Sequence, residues 1–305
     1  MPRGYAFGTR GLGGALNGVV SAFALSQFVN PPRRFHLIAK SWNYGDFRHT
    51  FSDFSDKSDC SVSNFTPART NRNAEVFIDW DAEIIMSRPD VFYEYNIFPC
   101  SNKHDMVYRL LPKFMGHEHL FDVLSKTARA FLTPRKSLFE LIRRIWTELG
   151  GSYLFVHIRR GNKKEETDEV PITEYTNALQ HKKNHPRTVF LMYDGHKACD
   201  EFSLAHSAGY RLVTYQSLIK RWGLRTAENL TAEHSQLKFD QLPEKDRLLQ
   251  TEELVVSLFV GALSDFAVCT YSSNICRLVA LLRGGRMYDN GVYSVDWSNW
   301  RSVVM

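Results

Sequence analysis

The sequence predicts an α/β protein whose carboxyl-terminal half is a Rossmann-like parallel sheet. Two observations carry that expectation. From Gly151 onward, short apolar runs alternate with longer stretches of helical periodicity, and repeated β–α alternation implies parallel strands wound with helices on both sides. The run Tyr153-Leu154-Phe155-Val156-His157-Ile158 ends abruptly in Arg159-Arg160-Gly161-Asn162-Lys163. Such an ending aims fixed positive charge at the sheet edge where open α/β sheets bind their ligands.

Taken in order, the elements begin with a glycine-rich stretch, Gly8 to Gly18, read as a turn that feeds a helix over Val19 to Phe28. Asn30-Pro31-Pro32 stops that helix. A turn feeding a helix can offer N–H groups to an anion or a sugar hydroxyl, but its spacing is neither the dinucleotide nor the P-loop pattern, and a plain tight turn is the simpler reading. A strand follows at Phe35 to Ala39. Tyr44 to Asn73 is rich in Ser, Asp, Asn and Thr and reads as an irregular excursion. Helices are expected at His119 to Phe131 and Ser137 to Leu149, the second stopped by Gly150. The domain boundary is placed there, giving regions 1–150 and 151–305. In the second region strands are expected at Ser152 to Ile158, Thr188 to Tyr193, Arg211 to Thr214 and Phe266 to Thr270. Helices are expected at Ile172 to His185, Lys197 to Ala208, Asp246 to Leu263 and Asn274 to Arg283. The Asp246 helix is the clearest, with Leu248, Leu249, Val255, Val256, Phe259 and Leu263 on one face.

Composition narrows the class. The chain has 305 residues, 44% hydrophobic and 23% charged, ordinary for a folded protein with one large domain or two smaller ones. A net charge of +5, spread along the chain, argues against nucleic acid as a partner. No run of about 18 apolar residues encodes a membrane span, and Met1 to Gly14 lacks the order of a signal peptide. Among five cysteines, Cys60, Cys100 and Cys199 are isolated. The sequons Asn64-Phe65-Thr66 and Asn229-Leu230-Thr231 matter only in a secretory compartment.

The arginines give the chemistry. The planar guanidinium fork matches phosphate oxygens, so a pyrophosphate is the natural guest of Arg159 and Arg160. The competing reading is a solvated basic loop. His157, at a strand end among apolar neighbours, reads as a hydrogen-bonded core histidine, and Trp297 and Trp300 read as packing residues.

These residues support a resemblance. His157-Ile158-Arg159-Arg160-Gly161-Asn162-Lys163 with Pro171-Ile172-x-Glu174-Tyr175 resembles the H-x-R-R-x-D-K…P-I-x-E-Y signature of the α1,6-fucosyltransferases. Ser264-Asp265-Phe266-Ala267-Val268-Cys269-Thr270-Tyr271-Ser272-Ser273-Asn274-Ile275-Cys276-Arg277 is similar to that family's A-D-F-L-V-C-T-F-S-S-Q-V-C-R block. Val189 to Asp194 is similar to its V-Y-L-A-T-D strand, and Ser41-Trp42-Asn43-Tyr44 to its N-W-R-Y segment.

The resemblance implies a GT-B-like fold of two α/β lobes and a GDP-fucose donor held by the second. It implies donor contacts from Arg159, Arg160, Tyr175, Asp194, Ser272, Ser273 and Asn274. It implies a functional Lys163, a catalytic base that a one-residue gap brings onto Glu166 (Glu165 or Asp168 as fallbacks), and a Cys269–Cys276 disulfide. No metal or other cofactor is implied; Asp79-Trp80-Asp81, the one Asp-x-Asp, lies outside the matching blocks. The expected reaction is inverting transfer of fucose to a glycan or glycoprotein acceptor, in α1,6 linkage to N-acetylglucosamine. The expected compartment is the Golgi lumen for a truncated eukaryotic form and the cytoplasm otherwise. Three positions depart from the pattern, each losing a carboxylate: Asn162, Gly195 and Ser257. They motivate a second expectation, a catalytically silent GDP- or glycan-binding protein. A protein O-fucosyltransferase is the third.

Overall fold

The computed structural model describes residues 12–14, 16, 17, 20, 35–38, 76–79, 84–86, 117–160, 169–180, 186–206, 209–225, 236–297 and 300. The irregular stretch expected at Tyr44 to Asn73 lies outside them, as does all of the Val19 to Phe28 helix except Val20, which is helical.

A small sheet comes first. β1 (Phe35–Ile38) runs parallel to β2 (Val76–Asp79), which pairs antiparallel with β3 (Ile84–Met86). Two helices follow, α1 (His117–Phe131) and α2 (Lys136–Glu148). The remaining elements are β4 (Leu154–Ile158), α3 (Ile172–Gln180), β5 (Thr188–Tyr193), α4 (His196–His206), β6 (Arg211–Val213), α5 (Tyr215–Arg221), α6 (Gln236–Asp240), α7 (Glu244–Leu263), β7 (Phe266–Cys269), α8 (Asn274–Arg283) and β8 (Val292–Ser294). Strands β4 to β8 form one five-stranded sheet in the order β6-β5-β4-β7-β8, with every neighbouring pair parallel. The α/β class and the parallel sheet are therefore as the sequence predicts.

Strand β4 lies at the centre because it is apolar on both faces, as a buried parallel strand must be. Its pleat divides the core in two. Leu154, Val156 and Ile158 pack with Tyr175 and Leu179 of α3 and Ala198 and Phe202 of α4. Phe155 points the other way, into a cluster fed by α1, α2, α5, α7 and α8. That cluster also contains Leu12, Leu16 and Val20.

Several details correct the sequence reading. Within the glycine-rich stretch the described residues, 12–14, 16 and 17, are helical rather than a turn. Close packing explains why glycine sits there: a Cβ on Gly13 would lie 2.9 Å from Ile275 Cδ1 and 3.2 Å from Asn274 Cβ. Thr214 does not end β6 but caps α5, exchanging hydrogen bonds with Ser217 in a capping box. β2, β3, α5, α6 and β8 were not foreseen, and Thr270 lies beyond the end of β7.

The packing of α7 on β4 is tight at one point. A Cβ on Gly261 would come within 2.8–2.9 Å of three atoms of the buried Phe155 ring. Arg283 then binds the carboxyl end of α7, donating to the carbonyls of Ser264 at 2.5 Å and Asp265 at 3.1 Å. Gly261→Val is expected to lower stability by about 1–3 kcal/mol through overpacking. Urea denaturation measures the loss, and Phe155→Leu in the same chain should recover part of it, since neighbouring sites couple.

Candidate functional site

The chain leaves β4 in one direction through β5 to β6, then returns through α7 to β7 on the other side of β4. That reversal makes β4/β7 a topological switch point, where open α/β sheets bind ligands outside the strand carboxyl ends. Arg159 and Arg160 follow β4, and Thr270 to Ser273 follow β7.

On the β4 side, register sets the geometry. Ile158 pairs with Tyr193, which places Arg159 beside Asp194. The Asp194 carboxylate forms an ion pair with Arg159 Nη1 and accepts the Arg160 backbone N–H at 2.6 Å. Arg160 turns to the α3/α4 face: Nη1 donates to the Val170 carbonyl at 2.7 Å and lies 4.0 Å from Glu169, and Nη2 lies 3.7 Å from Glu201. Neither arginine stands in open solvent, with side chains 21% and 11% exposed. The two arginines are therefore not solvated side chains, while the rest of the basic stretch, residues 161–168, lies outside the described residues.

On the β7 side, Ser273 caps α8, its Oγ accepting from the Ile275 N–H at 3.3 Å. The Asn274 carbonyl accepts from Asn17 Nδ2 at 3.0 Å, which ties the amino-terminal helical residues to the start of α8. The Ser272 carbonyl accepts from Arg277 Nη2 at 3.3 Å. Cys269 and Cys276 are joined by a disulfide, Cα to Cα 5.8 Å, between the end of β7 and the first turn of α8.

Sequence reasoning missed Asp296. Its Oδ2 accepts the Ser272 N–H at 2.8 Å; its Oδ1 accepts the Tyr271 N–H at 3.3 Å and the Ser294 hydroxyl. The carboxylate thus organises the turn between β7 and α8 from the end of β8. The only signal in the sequence was a lone Ser-x-Asp after a short Val-Tyr-Ser run, and β8 itself was not foreseen. Tyr175 feels charges from both sides. Fully buried on α3, its hydroxyl is pushed well above the ordinary phenol range by burial, with opposing influences from Arg160 and Asp296. That hydroxyl faces the Arg159 main chain without a hydrogen bond of good geometry.

Of the remaining site residues, Lys163 and Glu166 lie outside the described residues, as do Glu165, Asp168 and Asn162. Gly195 precedes α4 and accepts the Ala198 N–H at 3.0 Å, while Ser257 is buried in α7. His157 is a buried core residue as expected, and its Nδ1 has no hydrogen-bond partner. Among the described residues, no helix is long and apolar enough to cross a membrane.

No protein-family model and no curated protein matches the chain in sequence. Solved structures do match in fold. NodZ α-1,6-fucosyltransferase soaked with GDP-fucose superposes with a TM-score of 0.51 at 13% identity, over 89% of each chain. The same enzyme co-crystallised with GDP gives 0.50 at 12% identity, over 90% of each chain. The selenomethionine form of fucosyltransferase NodZ from Bradyrhizobium gives 0.50 at 11%, over 90% of this chain and 89% of that one. The chain therefore shares the fold of these enzymes.

Buried His157 and half-buried Glu253 of α7 give opposite pH dependences. Burial, then the neighbouring Arg159 charge, lowers His157 from 6.5 to about 3. Burial raises Glu253, which accepts from Gln216, from 4.5 to about 8. As pH falls from 6.5 toward 3 the unfolded chain protonates His157 before the folded one does, so stability is lost on the acid side. As pH rises from 4.5 toward 8 the unfolded chain ionises Glu253 first, so stability is lost on the alkaline side. The two oppose one another between 4.5 and 6.5. His157→Gln should flatten the acid limb and Glu253→Gln the alkaline limb of a urea-denaturation pH series, whatever either does to absolute stability.

Proposed function

We propose that this protein transfers fucose from GDP-fucose to a hydroxyl of a glycan acceptor. The observation that carries the reading is that Arg159, paired with Asp194, and the Ser272–Ser273 turn follow neighbouring parallel strands at the β4/β7 switch point. The fold shared with NodZ structures soaked with GDP-fucose and co-crystallised with GDP supports it.

In this reading the bond between the fucose anomeric carbon and the β-phosphate oxygen breaks while the acceptor oxygen attacks from the opposite face. The configuration inverts, and GDP leaves with the bonding electron pair. Arg159, with Arg160 and with Lys163 three residues further along the sequence, stabilises the charge that grows on the diphosphate. A guanidinium carries five donors, so an ion pair through Nη1 orients the group without exhausting it. Glu166 takes the acceptor proton, and the arginines and lysine supply the positive charge with no metal. Tyr175, Ser272, Ser273 and Asn274 shape the donor site, and Asp194 holds Arg159 in place.

We assign residues 151–305 to the donor lobe and 1–150 to the acceptor side of a GT-B-like pair. We take the acceptor sugar to be N-acetylglucosamine and the linkage α1,6. The Cys269–Cys276 disulfide supports an oxidising compartment such as the secretory lumen, since such bonds are rare where thiols are kept reduced.

A second reading has its own support. Ser257 is buried and Gly195 carries no side chain, both where the resembling family has carboxylates. A protein with those losses can hold GDP without turnover. Incubation with GDP-fucose and an N-acetylglucosamine-terminated glycan decides: transfer supports the enzyme, whereas saturable GDP binding with no transfer supports the silent relative. In the enzyme, Arg159→Ala should cut kcat by about 10²–10³, the loss typical of removing one donor to a developing anion. Asp194→Asn should weaken GDP binding about tenfold by releasing the guanidinium from its orientation. Calorimetry with GDP and a radiolabelled fucose assay measure the two effects, and unimpaired transfer by Arg159→Ala would refute its role.

A further inference from the structure

The fold treats the two tryptophans near the carboxyl end oppositely. Trp300 is 2% exposed and meets the Phe121 ring edge-on at 4.8 Å, which fits packing. Trp297 is 78% exposed, so its expected packing role is corrected. Its backbone is also left-handed, with φ 54°.

Both features of Trp297 work against stability. A bulky residue with positive φ is a backbone outlier costing on the order of 1–3 kcal/mol, and it persists only where its surroundings over-determine it. Those surroundings are evident. Val295, buried, donates its N–H to the Cys269 carbonyl at 2.9 Å, so the chain stays laddered beyond β8. Asp296 is bound to the Tyr271 and Ser272 amides and the Ser294 hydroxyl. Tyr293 then meets the indole edge-on at 6.4 Å. The chain is pinned on the amino-terminal side of Trp297, and the ring is held outward.

We propose that Trp297 is an aromatic platform on which a pyranose ring of the glycan acceptor stacks. The proposal rests on the glycosyl-transfer reading above. All strands of the sheet are parallel, so Trp297 stands on the same rim as Arg159 and the Ser272–Ser273 turn. β8 is two strands from β4, about 10 Å at the usual strand spacing. A diphosphate over the β4/β7 switch point therefore leaves room for the transferred sugar before the acceptor ring reaches the indole. A pyranose offers C–H bonds from one face to the electron-rich indole face. Its hydroxyls suit the polar rim of Ser272, Ser294 and Asp296. Among the described residues β8 is also the edge strand, so a glycan extended past it would not cross the nucleotide.

The test is calorimetric titration of the wild-type protein, Trp297→Ala and Trp297→Phe with an N-acetylglucosamine-terminated oligosaccharide and, separately, with GDP. Because the ring is exposed, its removal should leave the thermal transition in place. Saccharide affinity should fall about tenfold in Trp297→Ala, in line with a lost aromatic contact, and largely return in Trp297→Phe, with GDP affinity constant. Unchanged saccharide affinity in Trp297→Ala, or no saccharide binding by the wild type, overturns the proposal. So does a selective loss of GDP affinity in Trp297→Ala, which would make the nucleobase the occupant. Trp297-dependent saccharide binding in a protein that binds no GDP would sustain the platform and sink the donor assignment instead.

Discussion

The Asp194 carboxylate joins two adjacent strands at the point where both stop being strands. It holds a guanidinium and a backbone N–H of the β4 exit from the end of β5, so the direction in which the chain leaves β4 is set by the β4–β5 register. Register in turn is set by burial, since a slip of one residue would send Leu154, Val156 and Ile158 into the wrong half of the core. Apolar packing in the sheet thus fixes where a charged group sits at its rim. Charge-assisted hydrogen bonds of this kind contribute about 1.5–3 kcal/mol each. That is enough to order a loop exit but small beside the burial that sets the register.

The site stores its positive charge in paired form. Arg160 is flanked by Glu169 and Glu201 and donates to the Val170 carbonyl, so it fastens the start of α3 to the β4 exit. Across the switch point a carboxylate again does the fastening, with Asp296 drawing the end of β8 onto the turn before α8. The disulfide restrains the same turn from within. Arg159 and Arg160 on one side, and the turn before α8 on the other, are therefore each held by contacts within the chain.

The sequence was most legible where burial is two-sided. β4 reads as a continuous apolar run because both of its faces are covered, and the arginines stand out because they end that run without transition. The β7–α8 block was legible through its likeness to the fucosyltransferase block, whereas the Ser273 cap of α8 was not foreseen. β8 was not, because three half-buried residues, Val292 to Ser294, carry no periodicity. Asp296 was hidden for the same reason: its partners are backbone amides far away in the chain, and nothing in a Ser-x-Asp spacing announces them. Thr214 was taken for a strand end because β-branched residues suit strands, whereas its hydroxyl is used for capping. The glycines of the first segment suggested a turn, while tertiary packing uses Gly13 for a close helix approach.

That approach has a consequence for how the chain can be divided. Leu12, Leu16 and Val20 share a core with β4, α7 and α8, and Asn17 is hydrogen-bonded to the first residue of α8. A fragment beginning at the sheet would therefore emerge with a greasy scar over the helix that follows the Thr270–Ser273 turn. Leu12, Leu16, Asn17 and Val20 act as a wedge in that core, and recombinant truncations should keep them.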